Sequence, residues 1–344
     1  MNGCRLDRWA VDAPLTGICV ERGGRYAAFA GGDGCVRVVD LQDRELALSA
    51  LSLTSGAILA LVADSRAPAF ICGADNGAVY RVHAVEGSRE LARFTRPWPD
   101  QLATHPCGLR AVSEGPQVRV LDAGGQTVTE LGDHPSTVAG LASDSSGRRL
   151  AVSHYNGVSL WTLDGRCGEP HRLYHRGSHL DLSWRSDERF VVTATQEKTI
   201  HAWDLVSGQD TSLGPCMSKV KSISWSADGS WLLASGTDTV SCWLFSTGRL
   251  PPAAPRMLGR YSEHLVARVS ANPRHALIAA GYNDGGLDLV SLAPRPQRRA
   301  LTSAPGSPIA GLAWSPDGNC LLGGDSDGRV FVCRFETDVL ARLA

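Results

Sequence analysis

Three histidines stand four residues apart in His171-Arg-Leu-Tyr-His175-Arg-Gly-Ser-His179. On a helix that spacing would stack the imidazoles on one face and suit a metal ion. The residues around them read instead as an outer strand running into a loop. A strand advances about 3.3 Å per residue, so four positions span about 13 Å, too far to share one ion. His175 and His179 converge only if Arg176-Gly177 turns the chain, and a surface or structural role is the expected one. Acidic turns such as Asp325-Ser-Asp-Gly and Asn283-Asp-Gly have the look of calcium loops. They are too short to supply the roughly six to eight oxygens that ion takes, and tight hairpins call for the same residues.

Ten cysteines (Cys4, Cys19, Cys35, Cys72, Cys107, Cys167, Cys216, Cys242, Cys320 and Cys333) are scattered, without a C-x-x-C pair or zinc-ligand spacing. Several lie inside apolar runs, which makes them reduced core thiols by expectation. The glycine-rich stretches 23–24 and 31–34 lead into no helix, so they are not phosphate loops. No G-x-S-x-G, H-E-x-x-H or Cys/His pair in recognisable surroundings occurs. The residues therefore point to no catalytic group, no metal and no cofactor. A metal-handling protein using surface Cys and His is the alternative reading.

The elements that would position any site follow from pattern. The 344 residues are 43% hydrophobic and 20% charged, with a formal net charge of −1. No global field would draw nucleic acid or an anionic membrane. No run approaches the roughly 18 apolar residues of a membrane span, and the first residues lack a signal-peptide core, so a cytoplasmic protein is expected. Lysine occurs only at Lys198, Lys219 and Lys221, a bias that suggests GC-rich coding and a bacterial source.

Short β-type runs at 36–39, 79–82, 118–121, 158–161, 200–203, 240–243, 287–290 and 330–333 recur about every 40 residues. Each follows a turn rich in Asp, Asn or Gly, as in Gly73-Ala-Asp-Asn-Gly77 and Gly324-Asp-Ser-Asp-Gly328. An apolar run precedes that turn, and before it come another reverse-turn signal and another strand. Three hairpins per unit predict an antiparallel sheet of four strands, with too little chain for a helical crossover. Such sheets, apolar on both faces, bury themselves by radial stacking as a β-propeller. The expected fold is thus all-β, a single propeller domain over 1–344, with one chain per ring. The third unit, 101–122, is compressed. It keeps the phase of the repeat, so eight blades are favoured over seven. The last unit runs out after its third strand, and residues 5–11 are predicted to supply its outer strand and close the ring.

These units resemble WD-repeat propellers over essentially the whole length. Thr199-Ile-His-Ala-Trp203-Asp204 carries the family's terminal Trp-Asp pair; Asp40 and Asp122 keep the Asp, and Trp161 and Trp243 keep the Trp. Trp225-Ser-Ala-Asp-Gly229 and Trp314-Ser-Pro-Asp-Gly318 are also family-like turns. The resemblance implies a blade-stabilising set of His, Ser or Thr, Asp and Trp. His134, Ser153 and Trp161 match three positions, with Tyr155 at the Asp position. Thr195 and Trp203 match in the next unit, with Glu197 at the Asp position. Asp33, Asn76, Asp284 and Asp327 occupy that position elsewhere. The resemblance also implies a scaffold that binds a protein or peptide on the face carrying the second turns. Carried across by position, that face presents Asp75, His154, Tyr155, Gln196, Lys198, Tyr282 and Asn283, the two tyrosines being its anchors. The basic stretch 294–299 is read as a solvated loop, with contact to an acidic partner as the alternative, and the proline-stiffened connection 246–256 as a spacer or docking loop.

Overall fold

Alternating apolar residues bounded by Asp-Gly turns become strands along the whole chain, as a period of two requires. The computed structural model describes residues 3–95, 98–132, 134–163, 168–246, 249–260, 263–302 and 306–344. Those residues form thirty strands and one short helix, Thr337–Leu343. None of their helices is long and apolar enough to cross a membrane.

The strands pair antiparallel in sequence order. Leu15–Val20, Tyr26–Gly31, Cys35–Asp40 and Leu48–Ser52 make the first sheet, and Ile58–Ala63, Ala69–Ala74, Ala78–His83 and Gly87–Arg93 the second. We call the strands of each such unit a to d in that order. The compressed third unit is a full sheet of Leu102–Thr104, Arg110–Glu114, Gln117–Leu121 and Thr127–Leu131.

Eight first hairpins among the described residues close with the same bond. The amide at Glu21, Asp64, His105, Asp144, Arg185, Ser226, Asn272 or Ser315 donates to a carbonyl four or five residues on, at or just before the start of the following strand, at 2.8–3.0 Å. Side chains at these positions tie the turn down further. Asp144 Oδ1 accepts from the amides of Arg148 and Arg149, and Asn272 Oδ1 from those of Arg274 and His275. A polar residue there occupies amides that the turn would otherwise leave bare.

Eight separate sheets were expected; seven are found, six of four strands and one of six. The third unit is not the cause. Arg149–Thr162 is one strand of 14 residues, pairing over 150–153 with Gly140–Ser143 and over 155–160 with His171–Trp184. The latter strand also runs 14 residues, straight through Gly177. Other units break their hydrogen-bonded strands at these points. Here the strands run on, so two sequence units share a sheet, and the strand-then-loop expected over 171–179 is continuous strand.

The chain packs as two compact units, residues 16–193 and residues 1–15 with 194–344. In the first, Phe70, Cys72, Tyr80 and Val82 of the second sheet pack on Ala28, Val36 and Val38 of the first. Ile71 and Val79, pointing the other way, pack with Val112 and Leu121 of the third. Both faces of strands b and c are covered, which is why they read as unbroken apolar runs. In the other unit, Leu277, Leu287 and Leu289 face Ile309, Leu321 and Phe331, while Ile278 and Val290 face Leu233 and Cys242. Cys4–Ala10 fills the outer position of the last sheet, pairing with Arg329–Phe335 from Cys4↔Phe335 to Ala10↔Arg329.

Candidate interaction face

In an up-and-down sheet the second turn, between strands b and c, leaves at the same end as the connection to the next sheet. The two are latched together. Leu53 N–H donates to Gly34 O at 3.0 Å, Phe94 N–H to Gly77 O at 2.9 Å and Val138 N–H to Gly115 O at 2.9 Å. The acidic groups of these turns serve their own backbone. Asp33 accepts from Cys35 N–H, Asn76 from Ala78 N–H and Asp284 from Gly286 N–H. In the last unit Asp325, rather than the expected Asp327, accepts from the amides of residues 327 and 329; Asp327 instead accepts from the Ser307 hydroxyl.

Within residues 16–193, Tyr155 is 45% exposed at its second turn, and its amide donates to Ser136 Oγ at 2.9 Å. His154 does not reach the surface. Its Nδ1–H donates to Tyr155 O at 2.8 Å and its Nε2 accepts from Ser159 Oγ at 2.9 Å. Burial pushes its pKa below the ordinary value, so the ring is neutral and braces the turn that presents Tyr155. Asp75 is half-buried against the backbone of Gly56. One aromatic at this end escaped the sequence reading. Trp98, 63% exposed at φ +93°, sits in the connection between the second and third sheets. The available signal was its setting between Pro97 and Pro99, where no alternation asks for a core aromatic.

Within the other unit, Gln196, Lys198 and Asn283 are exposed at second turns. Tyr282 is a correction. It is fully buried among Val266, Ile278 and Val290, with the Arg260 guanidinium 4.3 Å from its ring centre. Tyr282 ends a central strand between two stacked sheets, so its side chain packs inward and offers no anchor.

The predicted stabilising sets survive only in part. His134 donates from Nδ1 to Pro116 O at 2.7 Å and accepts Trp161 Nε1–H at 3.1 Å. Ser153 does not join them. Its buried hydroxyl has no hydrogen-bond partner among the described residues and faces Gly140. His154 and Ser159 stand in instead, the His154 ring 5.6 Å from His134. Thr195 bonds Thr199 across its turn at 2.9 Å, and Trp203 packs edge-on to His201 at 4.5 Å. Asp204 caps the third turn, accepting Val206 N–H at 3.0 Å and Ser207 Oγ–H at 2.9 Å. Asp40 and Asp122 hold the equivalent turns.

The histidine trio resolves into structure. The His179 Nε2–H donates to His175 O at 3.0 Å and its Nδ1 accepts from Thr193 Oγ1 at 2.7 Å, with the two imidazoles edge to face at 5.3 Å. No group of three or more His, Cys, Asp or Glu placed to hold a metal occurs among the described residues. Cys167 lies outside them. Burial pushes the thiols of Cys19 and Cys242 up to about 12 and those of Cys216 and Cys320 up to about 11. They are protonated at neutral pH, whereas thiolate is the form that ligates and attacks.

Two stretches, residues 211–243 and 297–333, match the family described as WD domain, G-beta repeat. Those two stretches carry WD repeats, set among the four-stranded antiparallel sheets of a β-propeller. Parts of the chain are also similar to two curated proteins. One, "Chromatin assembly factor 1 subunit FAS2 homolog" of Oryza sativa subsp. japonica, is 25% identical over 204 residues, 56% of this chain and 37% of the relative. The other, "Periodic tryptophan protein 2 homolog" of Schizosaccharomyces pombe, is 27% identical over 140 residues, 34% of this chain and 16% of the relative. The matched parts thus span well under half the length of either. WD-repeat propellers serve in general as scaffolds for protein interaction.

Proposed function

We propose that this WD-repeat chain is a non-catalytic scaffold, one domain acting as a single copy, that holds a protein or peptide on the end of its blades bearing the second turns. The observation that carries the reading is the exposure of Trp98 and Tyr155 at that end of residues 16–193, in a connection and a second turn. Exposed aromatics held by rigid turns give large contact area at low entropic cost. Asp75 lies in a second turn of the same unit, and Gln196, Lys198 and Asn283 give the other unit exposed polar groups of its own. A relative that is an assembly-factor subunit supports a role within a complex. The eightfold first-hairpin bond supports reading the six-stranded sheet as two blades, eight in all.

The test is capture of partners from the native host by wild-type protein and by the Trp98→Ala/Tyr155→Ala variant, compared by mass spectrometry. The variant should melt within a few degrees of wild type, since both side chains are exposed, yet lose at least tenfold of the specifically captured partner. Equal capture by both proteins would rule out this end as the binding surface.

A further inference from the structure

The second binding feature lies wholly within residues 1–15 and 194–344. A cleft of about 140 Å³ opens where Gly285, Thr302 and Gly306 meet the last sheet. Arg8 and Arg329 line it, above a floor of Ile309 and Phe331. Arg8 lies directly opposite Phe331 in the pairing of the outermost strands, two register positions from Arg329. The two arginines therefore share a sheet face as a diagonal pair, with backbones about 7–8 Å apart.

Both side chains are exposed, and neither guanidinium has a carboxylate or hydrogen-bond acceptor among the described residues. Two other arginines of this unit are held by carboxylates, Arg260 by Asp284 at 2.7 Å and Arg298 by Asp288 at 3.2 Å. The acids near the cleft, Asp325 in its wall among them, have partners of their own. Asp325 accepts backbone amides, Asp327 takes the Ser307 hydroxyl, and Asp284 holds Arg260. Gly285, at φ +80°, lies so close to Gly306 that an added Cβ would come within 2.9 Å of its Cα. Position 285 can therefore carry no side chain.

We propose that this cleft binds an acidic peptide segment of a partner protein, with adjacent Glu or Asp carboxylates on Arg8 and Arg329 and an apolar neighbour on Phe331. Guanidinium forks match carboxylates in bidentate geometry, and two unpaired forks at this spacing fit two neighbouring acidic side chains. A nucleic-acid strand fits less well, because a phosphodiester backbone needs a longer basic track than two arginines provide. The inference rests on the scaffold reading but uses none of the residues that test it.

Fluorescence anisotropy with a labelled decapeptide library, X4-Glu-Glu-X4, measures the interaction directly. Wild-type protein should bind it at least tenfold more tightly than X4-Gln-Gln-X4, and the preference should weaken as salt rises from 50 to 300 mM. Arg8→Gln/Arg329→Gln should lose that tenfold preference while melting as wild type does. Arg8→Glu/Arg329→Glu should shift the preference to X4-Lys-Lys-X4. Equal binding of the Glu and Gln libraries, an undiminished preference in the double variants, or tighter binding of a labelled oligo(dT) would overturn the proposal. Loss of capture by the Trp98/Tyr155 variant with no Glu-Glu preference would sink this cleft alone.

Discussion

Buried charge at single residues ties neighbouring sheets together where apolar packing alone would let them slide. Asp64 is 1% exposed and accepts from Arg81 at 2.9 Å in its own sheet and from Arg110 at 2.9 Å in the next. Arg110 is itself buried and gives a further bond to Asp122 O at 2.9 Å. Burial by itself would raise the Asp64 pKa, yet the bonds from the two guanidinium groups hold it below its ordinary value of 3.8. Asp64→Ala leaves Arg110 charged, buried and without its carboxylate, which costs about 3–5 kcal/mol. The pH dependence has a definite sign. A lowered folded pKa adds stability above the unfolded value that is lost as pH falls through the folded one. The gap between wild type and variant should be widest at pH 7 and close below pH 3.8, read by urea unfolding from pH 7 to 2. A gap that stayed constant to pH 2 would mean that the ion pair contributes nothing beyond shape. Sequence alone did not show this pair, because the repeat marks position 64 as a turn residue while its second guanidinium comes from another unit.

At the scale of the element, hairpin grammar was readable and strand continuity was not. Turns with Asp, Asn or Gly at fixed offsets announced most second hairpins, since few other residues tolerate those backbone angles, and Gln196-Glu197-Lys198 is an exception with Lys198 at φ +62°. The resemblance led to His134 and Trp161, which do bond, and to Asp204, which caps a turn. It misplaced Ser153 and Tyr282, because alternation says that a side chain leaves the strand without saying which face is covered. The fusion of two units was hidden for a similar reason. Gly157 and Gly177 look like turn glycines in sequence, but they let Arg149–Thr162 and His171–Trp184 run on as paired strands. Gly157 stands at φ +136°, and a Cβ there would come within 1.9 Å of Leu173 O. Gly157→Ala must both strain the backbone and push the partner strand away, at a cost of at least about 1–3 kcal/mol. Hydrogen exchange should show the loss concentrated on amides 171–174, the segment paired with 157–160. Loss spread evenly over the sheet would argue against a local clash.

For the molecule as a whole, the decisive contact joins residues far apart in sequence. Cys4–Ala10 adds itself to Arg329–Phe335 through seven paired positions. Leu6 and Cys4 pack against the core that holds Leu340 and Phe335, and Glu336 N–H donates to Gly3 O at 3.1 Å. A last unit lacking its fourth strand was legible as a shortfall in the repeat, and the unassigned strand at the start was the one piece able to fill it. Removing residues 1–12 uncovers the backbone edge of Arg329–Phe335 and the apolar side chains beneath it, and exposed edges invite aggregation. It also removes Arg8 from the proposed cleft. Each 1 kcal/mol shifts a melting temperature by about 2–4 °C at 150–250 residues. Losing a paired, half-buried strand should therefore lower it by more than about 5 °C in scanning calorimetry. A synthetic peptide of residues 1–12 added in excess should recover part of that loss, because it binds the folded state and not the unfolded one. An unchanged melt in the truncated protein would show that the last sheet stands without its outer strand.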